Sequence, residues 1–110
     1  MSVRGSRILL LGVTYKANIA DLRESPANEI VRRLTDLGAT ISYHDPYISH
    51  LKVSEAELKS VTNLVEEVRS VDVTVLLQAH ECYLDEDFDI NSSLILDTRG
   101  VLVGQNIVKL

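Results

Sequence analysis

An apolar run, Ile8-Leu9-Leu10-Leu11, gives way to a long charged segment, Gly12 to Pro26, and an amphipathic helical pattern follows. Four apolar residues without polar alternation describe a strand buried on both faces, as in a parallel sheet covered by helices. Strand-to-helix connections in α/β units usually take about 2–6 residues, and longer ones tend to carry function. This connection is roughly twice that length and holds Lys16, Asp21, Arg23 and Glu24. Open α/β sheets bind ligands in the crevice beyond the carboxyl ends of their strands. The segment is therefore expected to be a ligand-binding loop.

The helix that follows has its own punctuation. Ser25 is suited to an N-cap, and Pro26 to the first helical position, where its missing N–H has no intrahelical partner. Ala27, Ile30, Val31, Leu34 and Leu37 recur at helical spacing on one face, with Arg32, Arg33 and Asp36 opposite. Gly38 falls where a left-handed C-cap residue belongs. Thr40 to His44 reads as a second strand, ended by a turn at Asp45-Pro46, with His44 structural. Leu51 to Val71 is expected to be helical with an interruption. Ser54 and Glu57 form a capping-box pair for a short helix through Leu58. A second helical piece sets Leu64, Val65 and Val68 inward and Glu66, Glu67 and Arg69 outward. Val73 to Leu77 is a β-branched strand, Gln78 to Asp89 a polar loop, and Leu94 to Leu96 a further buried strand ending at Asp97-Thr98-Arg99-Gly100. Val101 to Leu110 accommodates either a strand or a helix. Strands alternating with helices predict an α/β fold, a three-layer Rossmann-like sandwich on a mostly parallel sheet of about five strands, with right-handed crossovers.

Bulk composition narrows the class. The 110 residues fit one domain, 1–110, and 45% hydrophobic with 25% charged content is that of a globular chain. A formal net charge of −5 argues against nucleic acid as a partner, whose footprint is a basic stripe. A single cysteine, Cys82, permits no internal disulfide and fits a reducing compartment. No apolar run approaches the roughly 20 residues of a membrane span, and the short basic N-terminus lacks a signal-like apolar region. A soluble cytoplasmic protein is expected.

The opening loop is not a dinucleotide fingerprint. Leu11-Gly12-Val13-Thr14-Tyr15 has one glycine where backbone-held pyrophosphate requires a G-x-G-x-x-G set. An anion at this loop must be held by side chains. Lys16 supplies a mobile point charge and Arg23 a planar fork. Asp21, two residues from Arg23, projects to the same side of an extended segment and can orient it. Asp97-Thr98-Arg99-Gly100 repeats the theme at another strand end, so Lys16 and Arg99 can face a shared anion, with Asp97 as a loop anchor. His80-Glu81-Cys82-Tyr83 lacks the second histidine of a zinc-protease helix. Cys82 and His80, two apart on a loop, are not placed to act as a nucleophile pair. Asp85, Glu86, Asp87 and Asp89 lack the glycine and terminal glutamate of a calcium loop and read as a solvated acidic loop. No catalytic residue and no metal ligand set is expected.

Gly12-Val13-Thr14-Tyr15-Lys16, Asp21-Leu22-Arg23-Glu24-Ser25-Pro26-Ala27, Tyr43-His44-Asp45-Pro46 and Asp97-Thr98-Arg99 resemble the C-terminal domain of the nucleotide-sugar 6-dehydrogenases. These are the UDP-glucose, GDP-mannose and UDP-N-acetylhexosamine dehydrogenases. The resemblance spans about Arg7 to Leu102, rests on a highly specific G-x-x-[YF]-K-x4-D-x-R-E-S-P run, and is most similar to members acting on UDP-N-acetyl sugars. It implies an NAD-dependent, two-step oxidation of a sugar C6 alcohol to a carboxylate. It also implies a parent, itself a homo-oligomer, with an N-terminal NAD domain, a helical middle region and this nucleotide-holding domain. By resemblance, Tyr15 and Lys16 line the UDP-sugar site, and Arg99 contacts substrate and can reach across subunits. Arg23 approaches the NAD pyrophosphate, and Asp21, Glu24 and Asp97 support the cations. The family's catalytic cysteine motif, cofactor fingerprint and catalytic lysine are absent from this chain, and Cys82 does not match the nucleophile. The chain resembles one domain of a dehydrogenase roughly four times its length, and alone is expected not to catalyse.

Three alternatives stand beside this reading. One is a UDP-glucose-specific member. Another is a non-catalytic flavodoxin-like or receiver module, which would need an acidic pair after the first strand where Gly12-Val13-Thr14 stands. The third is a small NAD-binding domain, against which the lone Gly12 speaks.

Overall fold

The computed structural model describes residues 3–22, 25–54, 56–84, 94–102 and 107–109. Five strands form one sheet: β1 (Arg7–Leu11), β2 (Thr40–His44), β5 (Val73–Leu76), β6 (Ile95–Asp97) and β7 (Ile107–Lys109). Every neighbouring pair is parallel, in the spatial order β2-β1-β5-β6-β7. From β1 the chain passes first to β2 on one side and later to β5 on the other. The point where strand order reverses is thus the β1/β5 seam, where doubly wound sheets place their crevice.

β1 explains the three layers. Its successive side chains alternate faces: Ile8 and Leu10 join Val13, Ala27, Val31 and Tyr43 in one core, while Leu9 and Leu11 join Val68, Val71, Tyr83 and Ile95 in the other. The first core is covered by α1 (Ala27–Asp36) and the second by α2 (Leu64–Ser70). A strand needing apolar residues at every position is the consequence, and Leu9, Leu10 and Leu11 are 0% exposed. The expected Rossmann-like sandwich is what the chain forms.

α1 follows the sequence closely, with two adjustments. Pro26 takes the N-cap position and the helix opens at Ala27, while the Ser25 hydroxyl donates to the Val13 carbonyl and accepts the Ala27 N–H at 3.2 Å. Leu37, expected on the core face, lies past the last helical residue and is 55% exposed. Gly38 does adopt the left-handed conformation, at φ 97°. On the outer face Glu29 pairs with both Arg32 and Arg33.

The expected helix at Ser54–Leu58 is a β-hairpin instead. β3 (His50–Val53) pairs antiparallel with β4 (Ala56–Lys59), with Val53 opposite Ala56. Leu51 and Val53 are buried and His50 and Lys52 exposed, a period of two rather than 3.6. Ser54, at φ 55°, begins the turn rather than a helix. In α2 the inward face is Leu64, Val68 and the following Val71, and Val65 is 51% exposed rather than inward. Val65 sits about 100° around the axis from Leu64, and only seven residues, with Asn63 as N-cap, form this helix. The open question at the C-terminus resolves to a strand, β7. No helix among the described residues is long and apolar enough to cross a membrane.

Candidate functional site

The strands β2, β1, β5 and β6 all end on one face, and the chain brings its polar machinery there. At the β1 turn Gly12 has φ 79°, and a Cβ would meet the Gln78 backbone oxygen at 2.6 Å. Only glycine fits both the conformation and the space. Three of the turn's amides are already engaged. Gly12 N–H donates to the His44 carbonyl (2.9 Å), Val13 N–H to the Asp45 carboxylate (2.7 Å) and Tyr15 N–H to the Asp21 carbonyl (3.1 Å). A backbone-held dinucleotide would need such amides pointing at its pyrophosphate. At Val13 the chain's own carboxylate, Asp45, takes that role, so the turn does not offer the full set of free amides that a backbone-held dinucleotide requires.

The loop after β1 is stitched to the loop after β5. Gln78 Nε2 donates to the carbonyls of Thr14 (3.3 Å) and Tyr15 (2.6 Å). His80 is 0% exposed. Its Nδ1 accepts the Asn18 N–H at 2.8 Å, so Nδ1 carries a lone pair and Nε2 carries the ring proton. Nε2 then donates to Asp45 Oδ2 at 2.9 Å, with Thr14 Oγ1 at 3.2 Å. Asp45 is 3% exposed, and its other oxygen accepts the Tyr47 N–H. Asn18 Oδ1 accepts the Glu81 N–H at 2.9 Å, which ties the loop a second time to the short 3-10 turn Glu81–Tyr83.

Beside this network, Tyr83 donates its hydroxyl proton to the His44 carbonyl (2.7 Å) and receives the His44 Nδ1–H (2.8 Å). Burial holds His44 below its ordinary pKa against the opposing pull of Asp45. Burial and the Asp45 charge push the Cys82 thiol up, which disfavours the thiolate a nucleophile requires.

At the end of β6, Asp97 is 0% exposed and accepts from the backbone N–H groups of Arg99 (2.9 Å), Gly100 (2.8 Å) and Leu102 (2.7 Å). Burial works to raise its pKa, but those backbone donors outweigh it and hold the carboxyl below its ordinary value. The turn they form presents Arg99, exposed, with Nε donating to the Leu77 carbonyl at 2.9 Å. Arg99 and Tyr15 are therefore held to consecutive residues of the β5 loop, Leu77 and Gln78.

Of the sequence-derived candidates, Tyr15, Lys16 and Arg99 are exposed on neighbouring strand-end loops. Asp21 is half-buried and closes the loop through its carbonyl, while Asp97 is a buried anchor. Arg23 and Glu24 lie outside the described residues, as do Asp85, Glu86, Asp87 and Asp89. Gln78, His80, Asn18 and Asp45 went unrecognised as parts of this face. The available signal was positional, since Asp45 directly follows β2, and Gln78 and His80 follow β5. A groove of about 520 Å³ between α1, β2 and the hairpin shares no residue with this face.

Comparison with known proteins now bears on the site. Residues 9–104 match the model of the UDP-glucose/GDP-mannose dehydrogenase family, UDP binding domain. The chain belongs to this family. The chain is 41% identical over 99 residues to an NDP-N-acetyl-D-galactosaminuronic acid dehydrogenase of Ralstonia solanacearum, covering 86% of this chain and 22% of that protein. A UDP-N-acetyl-D-mannosamine dehydrogenase of Methanocaldococcus jannaschii is 31% identical over 104 residues, covering 87% and 23%. Among solved structures, the NDP-N-acetyl-D-galactosaminuronic acid dehydrogenase of Methanosarcina mazei Go1 superposes with a TM-score of 0.77 at 26% identity, over 99% of this chain and 25% of that one. The chain thus spans about a quarter of the length of the dehydrogenases it matches, as their UDP-binding domain.

Proposed function

We propose that residues 1–110 are one nucleotide-sugar-binding domain of a cytoplasmic, homo-oligomeric, NAD-dependent UDP-sugar 6-dehydrogenase. Its substrate is a UDP-N-acetylhexosamine, with UDP-glucose as the alternative sugar. The observation that carries the reading is the β1 turn. The amides of Gly12, Val13 and Tyr15 are bonded within the chain, while Lys16 and Arg99 stay exposed on adjoining loops of the same face. A polyanion here is held by side-chain cations, not by backbone.

In this reading Lys16 and Arg99 hold the diphosphate, and Tyr15, 46% exposed, offers its ring to the nucleoside or sugar. Asp97 sets the Arg99 turn. By its resemblance to the family motif, Arg23, with Asp21 and Glu24 in support, is assigned to the pyrophosphate of NAD, which is bound chiefly by the remainder of the parent. NAD supplies the oxidation of the C6 alcohol to a carboxylate. This chain contributes binding and orientation, and the reacting groups lie in the parent.

Titration calorimetry of the chain with UDP tests the proposal. Weak binding is expected, lowered about tenfold or more by Lys16→Ala and by Arg99→Ala, in line with loss of a charge-assisted contact. Affinity should also fall with added salt. No heat of binding at millimolar UDP would count against the reading.

A further inference from the structure

We propose that His80 is a positioning residue for the nucleotide site. It clamps both ends of the Thr14–Asn18 bend that carries Tyr15 and Lys16, and never meets the ligand. This rests on reading Lys16 as a diphosphate contact.

His80 is 0% exposed, so its ring has no access to a molecule bound at the face. Its polar atoms are engaged within the chain. On the amino side of Tyr15 it reaches Thr14 Oγ1, and on the carboxyl side of Lys16 it receives the Asn18 N–H. The Thr14 hydroxyl proton goes to the Lys16 carbonyl at 2.8 Å, so Thr14 meets His80 as an acceptor and passes the constraint to Lys16. Asn18 stands at φ 62°, a left-handed conformation that asparagine tolerates better than other residues with side chains and that local hydrogen bonds fix. The bond from its N–H to His80, and that from its side chain to Glu81 N–H, do so here. The clamp is referred to the sheet through Asp45, whose Oδ2 accepts from both His80 and Val13. Lys16 thus projects from a segment ordered before any ligand arrives. Preorganisation raises affinity by removing an ordering cost from the binding step.

Two substitutions divide the clamp. In His80→Asn the amide oxygen stands as many bonds from the backbone as Nδ1, so it can keep the Asn18 N–H while losing Asp45. In His80→Gln the amide nitrogen reaches the place of Nε2, keeping Asp45 and losing Asn18. Amide hydrogen exchange of the ligand-free chain should show Asn18 exchanging about tenfold or more faster in His80→Gln than in the unsubstituted chain, with near-normal protection in His80→Asn. UDP affinity should follow the same order, falling about tenfold in the Gln variant and recovering to within about threefold in the Asn variant. Combined with Lys16→Ala, the Gln substitution should cost less further affinity than it does alone, because part of its effect passes through the Lys16 contact and the rest through Tyr15. Unchanged Asn18 exchange in His80→Gln overturns the clamp. Affinities that track the variants' thermal stability instead of Asn18 protection overturn it as well. Absence of UDP binding by the unsubstituted chain overturns the nucleotide reading instead, and the exchange data separate the two failures.

Discussion

A methyl group at position 12 would enter space already taken by the Gln78 backbone and would sit on a residue with φ 79°. Left-handed strain of about 1–2 kcal/mol and overpacking of about 1–3 kcal/mol both oppose it. Gly12→Ala should therefore destabilise the chain by about 2–5 kcal/mol, read from the shift in urea midpoint. Asp97 is the other residue whose environment leaves little choice. Replacing it with asparagine turns an amide nitrogen toward backbone N–H donors that now meet a carboxylate. Asp97→Asn should cost about 1–3 kcal/mol and loosen the turn that presents Arg99, visible as lower UDP affinity. At this scale the exposed cations were legible, because Lys16 and Arg99 adjoin strand ends marked by apolar runs. His80 and Asp45 were not. Each reads as an ordinary turn or loop residue, and their pairing exists only because β2 and β5 flank β1.

At the scale of elements, the hairpin is where local signals misled. Ser54 and Glu57 match a capping box, yet the buried positions alternate, and packing of Leu51, Val53 and half-buried Leu58 into the first core outweighs the local preference. Leu51, 1% exposed, should cost about 2–5 kcal/mol as Leu51→Ala. Leu37→Ala, at a residue 55% exposed, should stay within about 0.5 kcal/mol. Urea unfolding of the pair separates the two assignments directly, since a core-facing Leu37 would show the larger loss. α1 was readable because its stripe is long and its C-terminal glycine unambiguous. α2, at seven residues, offers too few turns for periodicity to settle which valine faces in.

For the molecule as a whole, acid should destabilise in two stages. His44 has a folded pKa held below its ordinary 6.5, chiefly by burial, so the unfolded chain takes its proton first. Its contribution is complete above that value and fades as pH falls below it. The carboxyls act lower. Asp97 lies below its ordinary 3.8, and Glu29 is lowered to about 2 by Arg32 and Arg33. Their contributions are present above the ordinary carboxyl range and are lost as pH falls through the folded values. Glu29 is solvent-facing and its share should shrink with salt, whereas that of Asp97 should persist. Urea midpoints at pH 7.5, 5.5 and about 3, in low and high salt, check both stages; a flat profile between the first two would remove His44 from the account. The layering, the parallel sheet and the strand-end location of the charged loop were already written in local properties. An unbroken apolar run needs cover on both faces, and a stripe at helical spacing supplies it. What folding alone could decide was pairing between distant segments. The strand order set Asp45 and His80 within 2.9 Å and engaged the Gly12 and Val13 amides with the β2 end. The binding face was thereby left to side chains, because hydrogen bonds between residues far apart in sequence depend on where the sheet brings them.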